Sequence, residues 1–121
     1  MSAPDPLAPA TLGPVTLRNR VIKAATFEGA APGALVSGRL IDYHLAVAEG
    51  GVGMTTVAYL AVSPEGRTHA DQIYWRPEAH AGLRRLTDAI HATGAKIAAQ
   101  IGHAGPVANA ASNGLPSIGP S

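Results

Sequence analysis

The sequence predicts an α/β fold with parallel strands, and three observations carry that prediction. Three short runs, residues 21–25, 53–58 and 96–100, are apolar along their length with little alternation. Between them lie two stretches, about residues 39–49 and 77–93, whose apolar residues recur at helical spacing. Glycines mark the joints, at Gly50, Gly51 and Gly53 and again at Gly94. Strands apolar on both sides and joined by helices of about a dozen residues pair in parallel with both faces covered.

In chain order, residues 1–9 are proline-rich and read as an extended N-terminal segment. Gly13-Pro14 between two short runs predicts a hairpin over residues 10–17. Residues 26–36, rich in Gly, Ala and Pro, read as a loop. Ser37 is the expected N-cap of the first helix, with Leu40, His44 and Val47 on one face and Gly50 as its left-handed stop. A long loop, 59–76, contains a turn at Ser63-Pro-Glu-Gly66 and a Tyr74-Trp75 pair that needs a surface to pack on. Pro77 opens the second helix, whose inner face is Ala79, Leu83, Leu86 and Ile90. Residues 10–105 thus form hairpin, strand, helix, strand, helix, strand, and 106–121 read as a loop-like tail. Two architectures fit. A doubly wound sheet carries its glycine fingerprint after the first strand, whereas Gly50-Gly51-Val52-Gly53 precedes a strand. The other is the N-terminal third of a (β/α)8 barrel, with three of its parallel strands, two helices and an open edge after the last strand.

Composition narrows the function classes. With 46% hydrophobic and 14% charged residues, the 121-residue chain can bury a core. A net charge of +1 supplies no footprint for nucleic acid or an anionic membrane. The absence of cysteine excludes disulfides, thiolate metal sites and thiol chemistry. Without a spanning apolar run or a signal-peptide pattern at residues 1–6, a soluble cytoplasmic protein is expected.

In a barrel the chemistry sits at the C-terminal ends of the strands. That nominates residues 24–27, 57–59 and 100–103. The Gln100 amide offers one acceptor and two donors, the complement of an imide-like ring edge, or it satisfies loop backbone instead. Ala24 and Ala25 would let a flat ring approach the backbone, or would simply pack tightly. His103, between Gly102 and Ala104-Gly105, reads as a structural or solvated histidine with ligand contact as the alternative. His69, Asp71 and His103 make a weak metal pattern, and no metal is expected. His44, His80 and His91 on helices read as surface or half-buried residues. Lys23 admits a Schiff-base reading but more simply extends past apolar surface or pairs with a carboxylate. Glu28, just past the first strand, is either that partner or a general acid.

Four segments in order, Leu17-Arg-Asn-Arg-Val-Ile-Lys-Ala-Ala25, Gly50-Gly-Val-Gly53, Ala61-Val-Ser-Pro-Glu-Gly-Arg67 and Gln100-Ile-Gly-His-Ala-Gly105, resemble the old yellow enzyme family of FMN-dependent NAD(P)H:flavin oxidoreductases. The resemblance implies the barrel architecture with a hairpin closing its floor. It also implies FMN as cofactor, NAD(P)H as reductant, and an activated alkene or related small molecule as acceptor. By position, Ala24, Ala25, Thr26, Tyr59 and Gln100 become the cofactor-binding residues, while the catalytic residues stay unknown. The chain departs from the family at Phe27, where Thr or Cys is common, and at Tyr59, where a small residue is usual. The family's substrate-binding pair, tyrosine donor and phosphate loops fall after residue 121. Little turnover is therefore expected of this chain alone, and a non-catalytic fragment assembling as a homo-oligomer or with a complementing chain is the alternative.

Overall fold

The computed structural model describes residues 2–120. A hairpin comes first: β1 (Ala10–Leu12) and β2 (Val15–Leu17) pair antiparallel with Leu12 opposite Val15. Gly13, at φ +56°, supplies the left-handed residue that the turn requires. The segment before it is not fully extended, because Asp5 folds it into a turn, its carboxylate accepting from Leu7 N at 2.9 Å. Helix α1 (Gly38–Glu49) leads to strand β3 (Met54–Ala61), and helix α2 (His80–His91) leads to β4 (Lys96–Gly102). β3 and β4 pair in parallel, Met54 opposite Lys96 and Val57 opposite Ala99.

The expected first parallel strand shrinks to a single bridge between Ile22 and Met54. Pairing ends where Lys23 N donates to Met54 O at 2.9 Å, and among the described residues the chain beyond it makes no further ladder bond to β3.

Ser37 caps α1 as expected, its Oγ accepting from Leu40 N at 3.1 Å. Gly50 does not carry the left-handed stop: it stays right-handed at φ −69°, and the reversal falls on Gly51 at φ +108°. Pro77 begins a single 3-10 turn, Pro77–Ala79, before α2 takes over. The 106–121 tail contains one more helical turn, α3 (Ala110–Asn113), capped by the Asn109 side chain and ended by Gly114 at φ +70°. Four consecutive residues are too few to leave a periodic signal.

Leu40 and Ala48 of α1, Leu86 and Ile90 of α2, and Val57 and Leu60 of β3 form one buried cluster, with Ile97 of β4 packed against it. Both helices therefore cover the same face of the strand pair. Strand alternation puts Met54, Thr56, Lys96, Ala98 and Gln100 on the opposite face, and none of them is buried. The expectation that both faces are covered fails among the described residues: helices on one side leave the other as the lining of an incomplete layer.

Arg18 fastens the N-terminal ends of the strands. Its Nε donates to Val52 O (3.1 Å), Nη1 to Thr93 O (2.6 Å) and Nη2 to Ala48 O (2.6 Å). One guanidinium thus satisfies carbonyls at the ends of both helices, groups that a helix cannot pair internally. Beside it, Asn19 Nδ2 donates to Gly51 O at 2.6 Å, and Gly53 sits so close that a Cβ there would lie 2.5 Å from Asn19 O. The resemblance motifs at residues 17–25 and 50–53 are thus two sides of one contact.

Candidate functional site: the rim of β3 and β4

The parallel ladder is irregular near its C-terminal end. Val57 pairs with Ala99 and Leu60 with Ile101, so Ala58 and Tyr59 together oppose Gln100. An extra residue of this kind re-aims side chains and concentrates near functional sites. It brings Tyr59 and Gln100 to one rung. Gln100 is exposed, and among the described residues its amide has no hydrogen-bond partner. Tyr59 leans along the sheet: its ring passes over Gly102, where a Cβ would lie 3.2 Å from Tyr59 Cδ2. The Tyr59 hydroxyl donates to Gly66 O at 2.7 Å and accepts from Thr68 Oγ1 at 3.1 Å, so it is committed to the loop after β3.

Ala24 and Thr26 are exposed and Ala25 half-buried. Among the described residues, the backbone amides of residues 24–27 donate to no acceptor. Unpaired backbone donors and a free side-chain amide suit a flat, acceptor-rich ring. What returns this loop to the strands is Glu28. Its two carboxylate oxygens accept from Ala58 N at 3.1 and 3.2 Å, in the bulge itself. A narrow cleft lined by Phe27, Glu28, Ala58, Tyr59, Asp71 and Gln72 follows from that contact.

Glu28 belongs to a buried line that the sequence reading missed. Its Oε2 lies 2.9 Å from His44 Nε2, and His44 Nδ1 lies 2.7 Å from Thr55 Oγ1. The side chains of His44 and Glu28 are 0% and 3% exposed. The expectation of a surface or half-buried His44 is corrected: α1 turns it into the core beside Leu40 and Ala48. Its position on the Leu40–Val47 face was the available signal. A carboxylate only accepts, so Glu28 takes its hydrogen bond from His44 Nε2, while Nδ1 shares one with the Thr55 hydroxyl. Hydroxyl, imidazole and carboxylate in a row resemble an acyl-transfer triad. Thr55 is 0% exposed, so no substrate carbon reaches it.

The remaining candidates are occupied with structure. Lys23 Nζ donates to Ala24 O at 2.8 Å and lies 5.4 Å from the Tyr43 ring centre, on the helix side. His69 Nδ1 accepts from Asp71 N at 3.2 Å. His103 Nδ1 accepts from Gly105 N at 2.9 Å, leaving the proton on Nε2, 3.6 Å from Glu65 Oε1. Ser63 Oγ donates to the same oxygen at 2.7 Å, and with the Glu65 backbone and His103 it holds the carboxyl below the ordinary glutamate range. The His103 ring fits only because Gly66 has no side chain, since a Cβ there would lie 2.5 Å from His103 Cδ2. Of the Tyr74-Trp75 pair, Tyr74 packs against Arg67 and Arg76, whose guanidinium carbons lie 5.1 and 4.5 Å from its ring centre. Trp75 stays 56% exposed beside His80.

Parallel β/α units of this kind match the opening part of a barrel, a fold that carries its sites at the C-terminal ends of the strands. The comparisons agree on the architecture. A 2-naphthoyl-CoA reductase, solved with 2-naphthoyl-CoA, superposes with a TM-score of 0.86 at 28% identity, covering 91% of this chain and 17% of that one. Morphinone reductase gives a TM-score of 0.77 at 30% identity, covering 88% and 28%. An old yellow enzyme homologue from Zymomonas mobilis gives 0.85 at 22% identity, which speaks to fold alone. Residues 7–121 match the model of the NADH:flavin oxidoreductase / NADH oxidase family, and the chain belongs to that family. A 4,4'-dithiodibutanoate disulfide reductase from Rhodococcus erythropolis is 59% identical over 99% of this chain and 30% of its own length. A metal reductase from Desulforamulus reducens is 37% identical over 94% of this chain and 17% of its own length. The chain therefore spans less than a third of the curated relatives it matches.

Proposed function

We propose that this chain supplies the first part of the flavin-binding rim of an FMN-dependent oxidoreductase, with residues 24–26, Tyr59 and Gln100 facing the cofactor. The supporting observation is the set of backbone amides at 24–27 that donate to no acceptor among the described residues, together with the exposed Gln100 side chain at the end of β4. These donors and acceptors suit the polar edge of a flavin. Bound FMN supplies a two-electron carrier between NAD(P)H and an acceptor. This chain's part is positional. Gln100 hydrogen-bonds the ring's polar edge, the 24–26 backbone lies along the ring, and Tyr59, tied to Gly66, limits where it rests.

An activated alkene is one acceptor. The 59% identical disulfide reductase favours another: a disulfide that takes two electrons and two protons to leave two thiols. The bare strand face and the exposed Ile101 (67%) beside the β4 edge favour activity only after further barrel strands, from this or another chain, cover them.

Titration of the purified chain with FMN, followed by the flavin absorbance, tests the reading. Weak binding is expected, since the family's phosphate loops fall after residue 121, and Gln100→Ala should weaken it about tenfold further, the loss of one or two hydrogen bonds. Failure of the chain to bind FMN, or equal binding by Gln100→Ala, overturns it. NAD(P)H consumption with an enone or with 4,4'-dithiodibutanoate, measured once further barrel strands cover the bare face, then separates the acceptors.

A further inference from the structure

We infer that the buried line Glu28–His44–Thr55 is a clamp that positions the 24–27 backbone against the Ala58–Tyr59 bulge, and so governs how that backbone meets a ligand on the rim. The flavin half of this inference rests on the function proposed above; the clamp itself does not.

Strand pairing releases the chain after Lys23, and its next hold on β3 is Glu28, bonded to Ala58 N. The side of β3 that reaches Val21 and Lys23 through Met54 is, by alternation, the side to which Ala58 presents its N–H. Where a neighbouring strand would offer a carbonyl, the Glu28 carboxylate takes its place. It holds the same rung of the ladder that carries Tyr59 and Gln100. Residues 24–27, whose backbone amides donate to no acceptor among the described residues, are therefore strung between two fixed points.

Burying a carboxylate and an imidazole is costly, and apolar side chains of similar size would fill the same space more cheaply. What a polar line adds is direction. His44 bonds Thr55 at one nitrogen and Glu28 at the other, so α1, β3 and the loop are fixed together in one orientation. Thr55 and His44 are too deep to touch a ligand, so their influence on the rim passes through Glu28. They are positioning residues.

The test compares the native chain with Glu28→Ala, Glu28→Gln and Thr55→Val, the last nearly isosteric and so the variant that keeps the fold. The first readout needs no flavin: amide exchange at Ala58 and backbone 15N relaxation over residues 24–29. Glu28→Ala should speed Ala58 exchange at least about tenfold and loosen the loop, and Thr55→Val should do the same to a smaller degree. Glu28→Gln, which retains an acceptor for Ala58 N, should recover most of the native behaviour. The second readout is the affinity, absorbance and midpoint potential of FMN at saturation. Glu28→Ala should bind about tenfold more weakly and shift the potential, a change that lost stability alone would not cause. Native exchange and loop order in folded Glu28→Ala or Thr55→Val would overturn the clamp. A loosened loop with unchanged flavin affinity and potential would overturn its role at the rim. A native chain that binds no FMN would sink the proposed function and the flavin half together, while the relaxation data still decide the clamp.

Discussion

Replacing Arg18 with alanine removes three hydrogen bonds that join the ends of both helices to the loop before β3. The three carbonyls do not suffer equally. Ala48 O also accepts from Gly51 N at 3.0 Å and keeps a partner, whereas Val52 O and Thr93 O have no other donor among the described residues. Leaving two partly buried carbonyls without a charged donor costs about 1.5 kcal/mol each, so the loss is about 3 kcal/mol. That is a large share of the roughly 5–15 kcal/mol that holds a domain folded. With a urea slope of about 2 kcal/mol/M, the unfolding midpoint followed by circular dichroism should fall by about 1.5 M. Arg18→Met keeps much of the aliphatic stem and loses the donors, so it should fall nearly as far. Arg18→Lys keeps the charge but cannot fork to three carbonyls, and should lie between. A midpoint shift below about 0.3 M in Arg18→Ala, or full recovery by Met, would refute the reasoning.

Gly53→Ala forces a Cβ to within 2.5 Å of the Asn19 carbonyl. The backbone that must yield also holds the bonds from Gly53 N to Val21 O and from Lys96 N to Gly53 O. About 2 kcal/mol and a melting temperature lower by roughly 10 °C are expected, and an unchanged melting curve would contradict the close approach. Glu65 has a folded-state pKa below its unfolded value, so its contribution is present above the unfolded value and is lost as pH falls through the folded one, on the acid side of the ordinary glutamate range. Because the Ser63 hydroxyl is the largest cause, Ser63→Ala should return the Glu65 carboxyl titration, followed by carbon NMR, most of the way to normal. A Glu65 titration that does not move would shift the cause to its backbone and His103.

The strands were legible over 54–58 and 96–100 as continuous apolar runs, and both long helices by their periodicity; residues 59–61, expected in a loop, and 101–102 extend the strands. The Ser37 cap and the Gly94 stop were legible because they are local signals. The segment at 21–25 misled for the opposite reason. Its apolar run is strand-like, but it makes a single bridge to Met54, and the chain's next hold on β3 comes from the Glu28 side chain instead of the backbone. Gly50 and Gly51 are adjacent and chemically identical, so the side that takes the left-handed residue was settled by Arg18 and Asn19 pulling on the carbonyls around them.

The sequence by itself determined the βα order, the helix faces and, through its motifs, the family. Those are matters of spacing along one chain. Only the tertiary structure decided that Ala58 and Tyr59 share the rung of Gln100, because a bulge is a relation between two strands. It alone joined Glu28 to His44 and Thr55, residues 16 and 11 positions apart, since a buried carboxylate finds its partners by depth in the fold and not by distance along the chain.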